Sequence, residues 1–186
     1  MPKENQRIAL SKHLLKTSLL TLLQKKHISK ISISELCKEA EINRTTFYRH
    51  YETPKDVFLE ISLDYIKDFL KSSFSLNEPT DMKHGILQLC RYIYQNSDIA
   101  KLLMRNSTSD DVNIIFHILY ESLAGTRKIL YKGKPVDNDT LYLFNAFLTA
   151  GIYTIINHWL VEDISKTPEE IADLIYCSIN TDFTFT

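Results

Sequence analysis

The stretch Asn43–Tyr51 reads NRTTFYRHY and packs two arginines, a histidine, two threonines and three aromatic rings into nine residues. Guanidinium, hydroxyl and imidazole groups at this density suit phosphate oxygens and base edges, which accept hydrogen bonds in a fixed geometry. They do not form a reaction centre. The chain has no GxSxG elbow, no phosphate-binding P-loop, no HExxH pair and no paired Cys/His set. His13, His27, His50, His84, His117 and His158 show no metal-ligand spacing. Cys37, Cys90 and Cys177 are odd in number and far apart, so reduced thiols are expected, without a disulfide framework or a metal site. The expectation is a binding protein, not an enzyme, with no catalytic residue, cofactor or metal.

Charge supports a polyanion as the partner. Met1–Asp56 carries eleven Lys/Arg against six acids, an excess of +5 that leaves -6 for the rest of a chain whose formal total is -1. A basic first third on an acidic body is the electrostatic footprint of a nucleic-acid-binding end. Met1–Lys12 is charged and lacks an apolar run, so no secretory leader is expected and the compartment is read as cytoplasmic. Leu141–Val161 has no charged residue and is about as long as a membrane span. Asn145, Thr149, Thr154, Asn157 and His158 interrupt it and no basic flank orients it, which favours a helix between protein layers over a membrane partner.

The elements that must position NRTTFYRHY are helical. Ile8, Leu15, Leu19, Leu22 and Leu23 form one stripe and predict a helix from Asn5 to about Lys26, ended at His27 in left-handed backbone. Ser32 and Glu35 form a capping box for a short helix, Ile33–Ala40. After a turn at Glu41 and Ile42, Asn43 caps a third helix, Arg44–His50, with Phe47 inward. Thr53, Pro54 and Asp56 start a fourth, running to about Phe74 with apolar residues on two sides. Breaks follow at residues 75–81, 106–111, 131–139 and 162–168, with helical patterns between them and no alternation long enough for a strand. The expected fold class is all-α: residues 1–52 a three-helix helix-turn-helix domain, residues 53–186 a connector helix plus a helical regulatory and dimerisation bundle.

Two short capped helices around a tight turn have the shape of a helix-turn-helix. Beyond shape, ISISELCKEAEINRTTFYRHYETPKDVFLEI, Ile31 to Ile61, resembles the DNA-binding signature of the TetR family of bacterial transcriptional regulators, over roughly the first third of the chain. The resemblance implies a homodimer on a palindromic operator, usually repressing, with a ligand pocket in the C-terminal domain that controls release. It implies base reading by Arg44, Thr45 and Thr46, phosphate contacts from Tyr48, His50 and Lys55, and a phosphate-facing helix start at Ser32. Glu41 and His27 depart from the family pattern, in which most members have glycine at these positions. Positive φ at a non-glycine residue costs about 1 kcal/mol, and Glu41 adds negative charge near DNA, so operator binding is expected to be loosened, not lost.

In the C-terminal part, Ala146, Ala150 and Thr154 recur every fourth residue beside Phe147, Gly151 and Ile155, a row that lets another helix approach closely. The resemblance implies that the helix bearing this row and a last helix capped at Thr167, carrying Leu174 and Ile175, pair across a two-fold axis as the dimer interface; symmetric dimers are the commonest oligomers. Tyr94, Met104, Phe116, Tyr120 and Phe144 are candidates for a pocket, with no charge cluster to define an effector. A helical interaction module or co-activator working through a partner protein is the rival reading.

Overall fold

The computed structural model describes residues 2–73, 82–124, 129–131, 134–162, 165–179 and 183–185. The chain divides into two compact units, Met1–Tyr65 and Ile66–Thr186. Among the described residues the architecture is all-α, with one small sheet.

The first unit holds α1 (Pro2–Leu23), a 3-10 turn (Ile28–Lys30), α2 (Ile33–Glu39), α3 (Arg44–Tyr48) and the start of α4 (Pro54–Ser73). Its core takes Leu15, Leu19, Leu22 and Leu23 from α1, Leu36 and Ala40 from the α2 segment, Phe47 from α3, and Val57, Phe58 and Ile61 from α4. Phe47 is 0% exposed. Its replacement by alanine would leave a cavity costing about 3–5 kcal/mol.

α1 stops at Leu23, short of the expected Lys26, and its last carbonyls close a turn through Lys25 N–H and Lys26 N–H to Leu22 O at 3.0 and 3.1 Å. His27 is not left-handed. Its φ of -65° and ψ of 148° are extended, and its Nδ1 accepts from Ser29 N–H to cap the 3-10 turn. A side chain that caps the next element makes a glycine unnecessary there, so the strain expected at His27 is absent.

The second unit holds α5 (Met82–Gln95), α6 (Ser97–Asn106), α7 (Ser109–Ala124), α8 (Asn138–Val161) and α9 (Pro168–Ile179). α5 lies along α9, and α8 packs on α6, α7 and α9. Cys90, Leu103, Phe144, Ile156, Trp159, Ile171 and Ile175 form the core. Trp159 Nε1 donates to Lys166 O at 2.9 Å, which gives this buried indole its partner. Burial pushes the Cys90 thiol up to about 12, so it is a packing group and not a nucleophile.

Both late helices begin at side-chain caps: Asp137 Oδ1 accepts from Thr140 N–H at 2.8 Å, and Thr167 Oγ1 from Glu170 N–H at 3.2 Å. Strands β1 (Ile129–Tyr131), β2 (Lys134–Pro135) and β3 (Phe183–Phe185) form an antiparallel sheet in the order β2-β1-β3, Tyr131 opposite Lys134 and Leu130 opposite Thr184. At two or three residues each they are too short to show a period-two pattern.

α8 is long and apolar enough, by length and composition, to cross a membrane, and 18% of its most apolar window is buried in the chain. Tyr142, Leu143, Ala146, Phe147, Ala150, Gly151 and Thr154 are all exposed and recur at helical spacing along one face.

Candidate nucleic-acid interface

α2 and α3 are each too short to be stable alone and depend on their caps and on Leu36 and Phe47 in the core. Ser32 Oγ accepts from Glu35 N–H at 3.2 Å. The Glu35 carboxylate is held below its usual range mainly by Lys26, and less by the Ser32 backbone N–H, which returns the other half of the box. Asn43 Oδ1 accepts from Thr46 N–H at 2.7 Å and starts α3.

Between them lies a Schellman turn. Glu41 N–H donates to Lys38 O at 3.3 Å and Ile42 N–H to Cys37 O at 2.9 Å, the paired bonds that close a helix through one left-handed residue. That residue is Glu41, whose φ is 53°. No other non-glycine residue among those described has positive φ.

With Phe47 inward, α3 turns the rest of its side chains away from the core. Arg44, Thr45 and Tyr48 are exposed, Thr46 and His50 half-buried. Tyr48 is 57% exposed and meets the Phe47 ring edge-on at 5.6 Å. Burial first, then the charges of Lys12 and Arg49, keep His50 below the usual histidine range, with Glu60 opposing them. Ser32 is exposed at the start of α2. Lys55 occupies the second position of α4 with its Nζ over the Phe58 ring, 4.6 Å from the centroid. The α4 N-terminus is partly neutralised by its own Asp56, whose Oδ2 accepts from Thr53 N–H and Glu52 N–H at 2.7 and 2.9 Å.

Two features behind this surface escaped the sequence reading. Arg44 donates through Nη2 to Ser34 Oγ on α2. Glu60 of α4 collects Lys12 Nζ at 3.0 Å, Lys16 Nζ at 2.7 Å and Tyr51 Oη at 2.9 Å, while Lys16 also reaches Asp64 at 2.6 Å. Burial pushes the Glu60 carboxyl up, but the bonds from Lys16, Lys12 and Tyr51 outweigh it and hold it down to about 2. The same buried environment and the Glu60 carboxylate push the Tyr51 hydroxyl up. Complementary i, i+4 pairs, Lys12 and Lys16 on α1 against Glu60 and Asp64 on α4, were the available signal.

In the second unit the candidate pocket residues are dispersed in character. Phe144 is buried, Met104 half-buried, and Tyr94 exposed and stacked on Trp159 with centroids 5.7 Å apart. Phe116 and Tyr120 lie on α7, but their side chains are outside the described residues. Among the described residues no group of His, Cys, Asp and Glu could hold a metal ion. Ala146, Ala150, Gly151 and Thr154 lie on the exposed face of α8; a Cβ built on Gly151 meets nothing within 4 Å, so no neighbour in its own chain requires glycine there. Leu174 is 49% exposed on α9, but Ile175 is 1% exposed and enclosed by its own core, one helical step from the outer face.

A family profile for the TetR-type transcriptional regulator C-terminal region matches residues 80–181. The chain belongs to the TetR family of transcriptional regulators. This match lies outside the helix-turn-helix segment, so it is independent of the resemblance carried by Ile31–Ile61. Among curated proteins the TetR-family chain is 22% identical over 170 residues to an uncharacterised HTH-type transcriptional regulator of Bacillus subtilis, across 87% of this chain and 42% of that protein. It therefore spans less than half the length of that relative. Among solved structures it resembles a TetR transcriptional regulator from Streptococcus agalactiae at TM-score 0.70 and 18% identity, covering 96% of this chain and 98% of the other. A fatty acid degradation regulator from Bacillus halodurans aligns at TM-score 0.59 and 14% identity over 91% and 94% of the two chains. A TetR-family regulator from Syntrophomonas wolfei aligns at TM-score 0.59 and 16% identity over 97% and 95%. At these identities the likeness speaks to fold.

Proposed function

We propose that this TetR-family regulator is a cytoplasmic repressor that binds a palindromic operator as a homodimer through α3. Arg44, Thr45 and Thr46 read bases, Tyr48, His50 and Lys55 hold phosphates, and the Ser32-capped start of α2 faces the backbone. The observation that carries the reading is α3 itself. A five-residue helix anchored by one buried phenylalanine keeps hydroxyl, guanidinium and ring on its outer side, within the segment of +5 charge. Such a surface gains little from facing water and much from facing a groove.

The homodimer reading rests on α8. Phe147 is 68% exposed beside the row Ala146, Ala150, Gly151 and Thr154, and small residues in register let two helices approach. Leu174, exposed on α9, is the apolar group proposed to join that face. Effector control rests on α4, which starts at the proposed Lys55 contact and continues past Tyr65 into the second unit. A ligand near Tyr94, Met104, Phe116, Tyr120 or Phe144 would act by changing the spacing of two α3 helices, which half-sites ~34 Å apart tolerate poorly.

The test is selection of duplexes from a random-sequence library by the full protein, with sedimentation of the free chain. Enrichment of an inverted repeat by a dimer is the expected result. A monomer, or no enriched sequence at low salt, would refute the reading and favour action through a partner protein.

A further inference from the structure

The Arg44 guanidinium is tied to the other helix of the pair. Its Nη2 donates to Ser34 Oγ in the first turn of α2, ten residues earlier and across the Schellman turn. Both residues are exposed, so the bond is not a device for satisfying a buried group. Arginine has five N–H donors in a planar fork, and this bond uses one nitrogen, leaving donors for a guanine edge. A long exposed arginine otherwise samples many rotamers, and that freedom is lost on docking. The Arg44 charge is also felt at Cys37, one turn further along α2, where it opposes the upward push of burial on the thiol.

We propose that Ser34 is a specificity-determining positioning residue: its hydroxyl pre-orders the Arg44 guanidinium for base reading. The proposal rests on the base-reading role assigned to Arg44 above. Ser34 acts through Arg44 and needs no contact of its own with DNA. It makes α2 a participant in sequence choice, beyond its structural part in the turn.

The experiment uses the full chain and the duplex that the wild-type protein selects, together with duplexes altered one base pair at a time. Ser34→Ala, Ser34→Thr, Arg44→Ala and the double variant Ser34→Ala/Arg44→Ala are compared. Ser34→Ala is expected to weaken binding to the selected duplex by about 3- to 10-fold, the size for one restrained long side chain. It should flatten discrimination only at the base pairs where Arg44→Ala does. Ser34→Thr, which keeps the hydroxyl, should restore both. In the Arg44→Ala background, Ser34→Ala should cost nothing more.

A merely structural serine would lower affinity for all duplexes alike and change the melting temperature, which overturns the proposal. So would Ser34→Ala that binds and discriminates like wild type, or more tightly, while Arg44→Ala loses discrimination. A cost that persists without Arg44 would mean an independent contact, and also overturns it. An Arg44→Ala protein that discriminates like wild type removes the base-reading assignment itself, and the proposal with it.

Discussion

Replacing Glu41 with glycine should stabilise this protein, although it deletes a side chain from the heart of the helix-turn-helix. Glu41 sits at φ 53° in the Schellman turn after α2. Left-handed backbone costs an L-residue with a Cβ roughly 1–2 kcal/mol, and glycine almost nothing. Against this, glycine makes the unfolded chain freer by about 0.4–1 kcal/mol. The net expectation for Glu41→Gly is a gain of about 0.5–1 kcal/mol, or ~1–4 °C in Tm for a chain of this length. Glu41→Asn, which tolerates the left-handed region, should gain less, and Glu41→Gln, which removes the charge but keeps the strain, should leave Tm unchanged. Thermal melting by circular dichroism separates the three. Operator affinity gives a second axis: Gln and Gly should both tighten binding, because each removes a negative charge from the turn beside the proposed DNA-reading helix. A glycine variant that melts at or below the wild-type temperature would refute the strain argument, since no side-chain contact of Glu41 is needed to explain the turn.

Glu60→Gln should cost about 1–2 kcal/mol at pH 7, after discounting for partial exposure of the network, as read by urea unfolding. Because the folded carboxyl is held down to about 2 from an ordinary 4.5, this contribution is fully present above pH ~4.5 and fades as pH falls towards 2, so wild type and variant should converge in acid. His50 is kept low in the free protein, and a phosphate beside it would favour its protonated form; operator affinity should therefore rise as pH drops from 7.5 to 5.5, and His50→Gln should flatten that profile. Ala150→Glu puts a charge on the α8 row and should give monomer or aggregate in sedimentation, at a desolvation cost of several kcal/mol if the row is an interface. A soluble dimer in that variant would move the interface elsewhere.

The helices were legible where local chemistry repeats or caps. Leu15, Leu19, Leu22 and Leu23 mark α1, and Ser32, Asn43, Thr53 and Thr167 each stand just before a helix that begins where expected. Positive φ at Glu41 was legible through the resemblance, whose pattern usually has glycine at this turn position. Histidine's tolerance of left-handed backbone does not decide His27: its imidazole caps the next turn from extended backbone, through a local bond to Ser29 N–H. The break between α5 and α6 at Asn96 was not singled out, although Asn96-Ser97-Asp98 is a start signal; Asn96 makes no side-chain cap bond and instead donates back to Tyr92 O at 2.8 Å. The resemblance implies a dimer face on α9 but does not separate Leu174 from its apolar neighbour Ile175; only the packing of α9 on α5 and α8 tells which points inward. The Ser34–Arg44 contact joins residues ten positions apart across a turn and leaves no pattern in one sequence, whereas the Glu60 contacts, up to forty-eight positions apart, left only the matched i, i+4 charges as a signal.

The outer side of α3, with the start of α4, is the proposed DNA-reading surface. Its most direct test is a salt titration of Lys55→Ala and Arg44→Ala binding to the selected duplex and to a scrambled one. Lys55→Ala should weaken both duplexes alike and make the slope of log affinity against log salt shallower by about one unit. Arg44→Ala should instead cost ~1–3 kcal/mol on the selected duplex and far less on the scrambled one. Two variants that bind both duplexes like wild type, at every salt concentration, would contradict it.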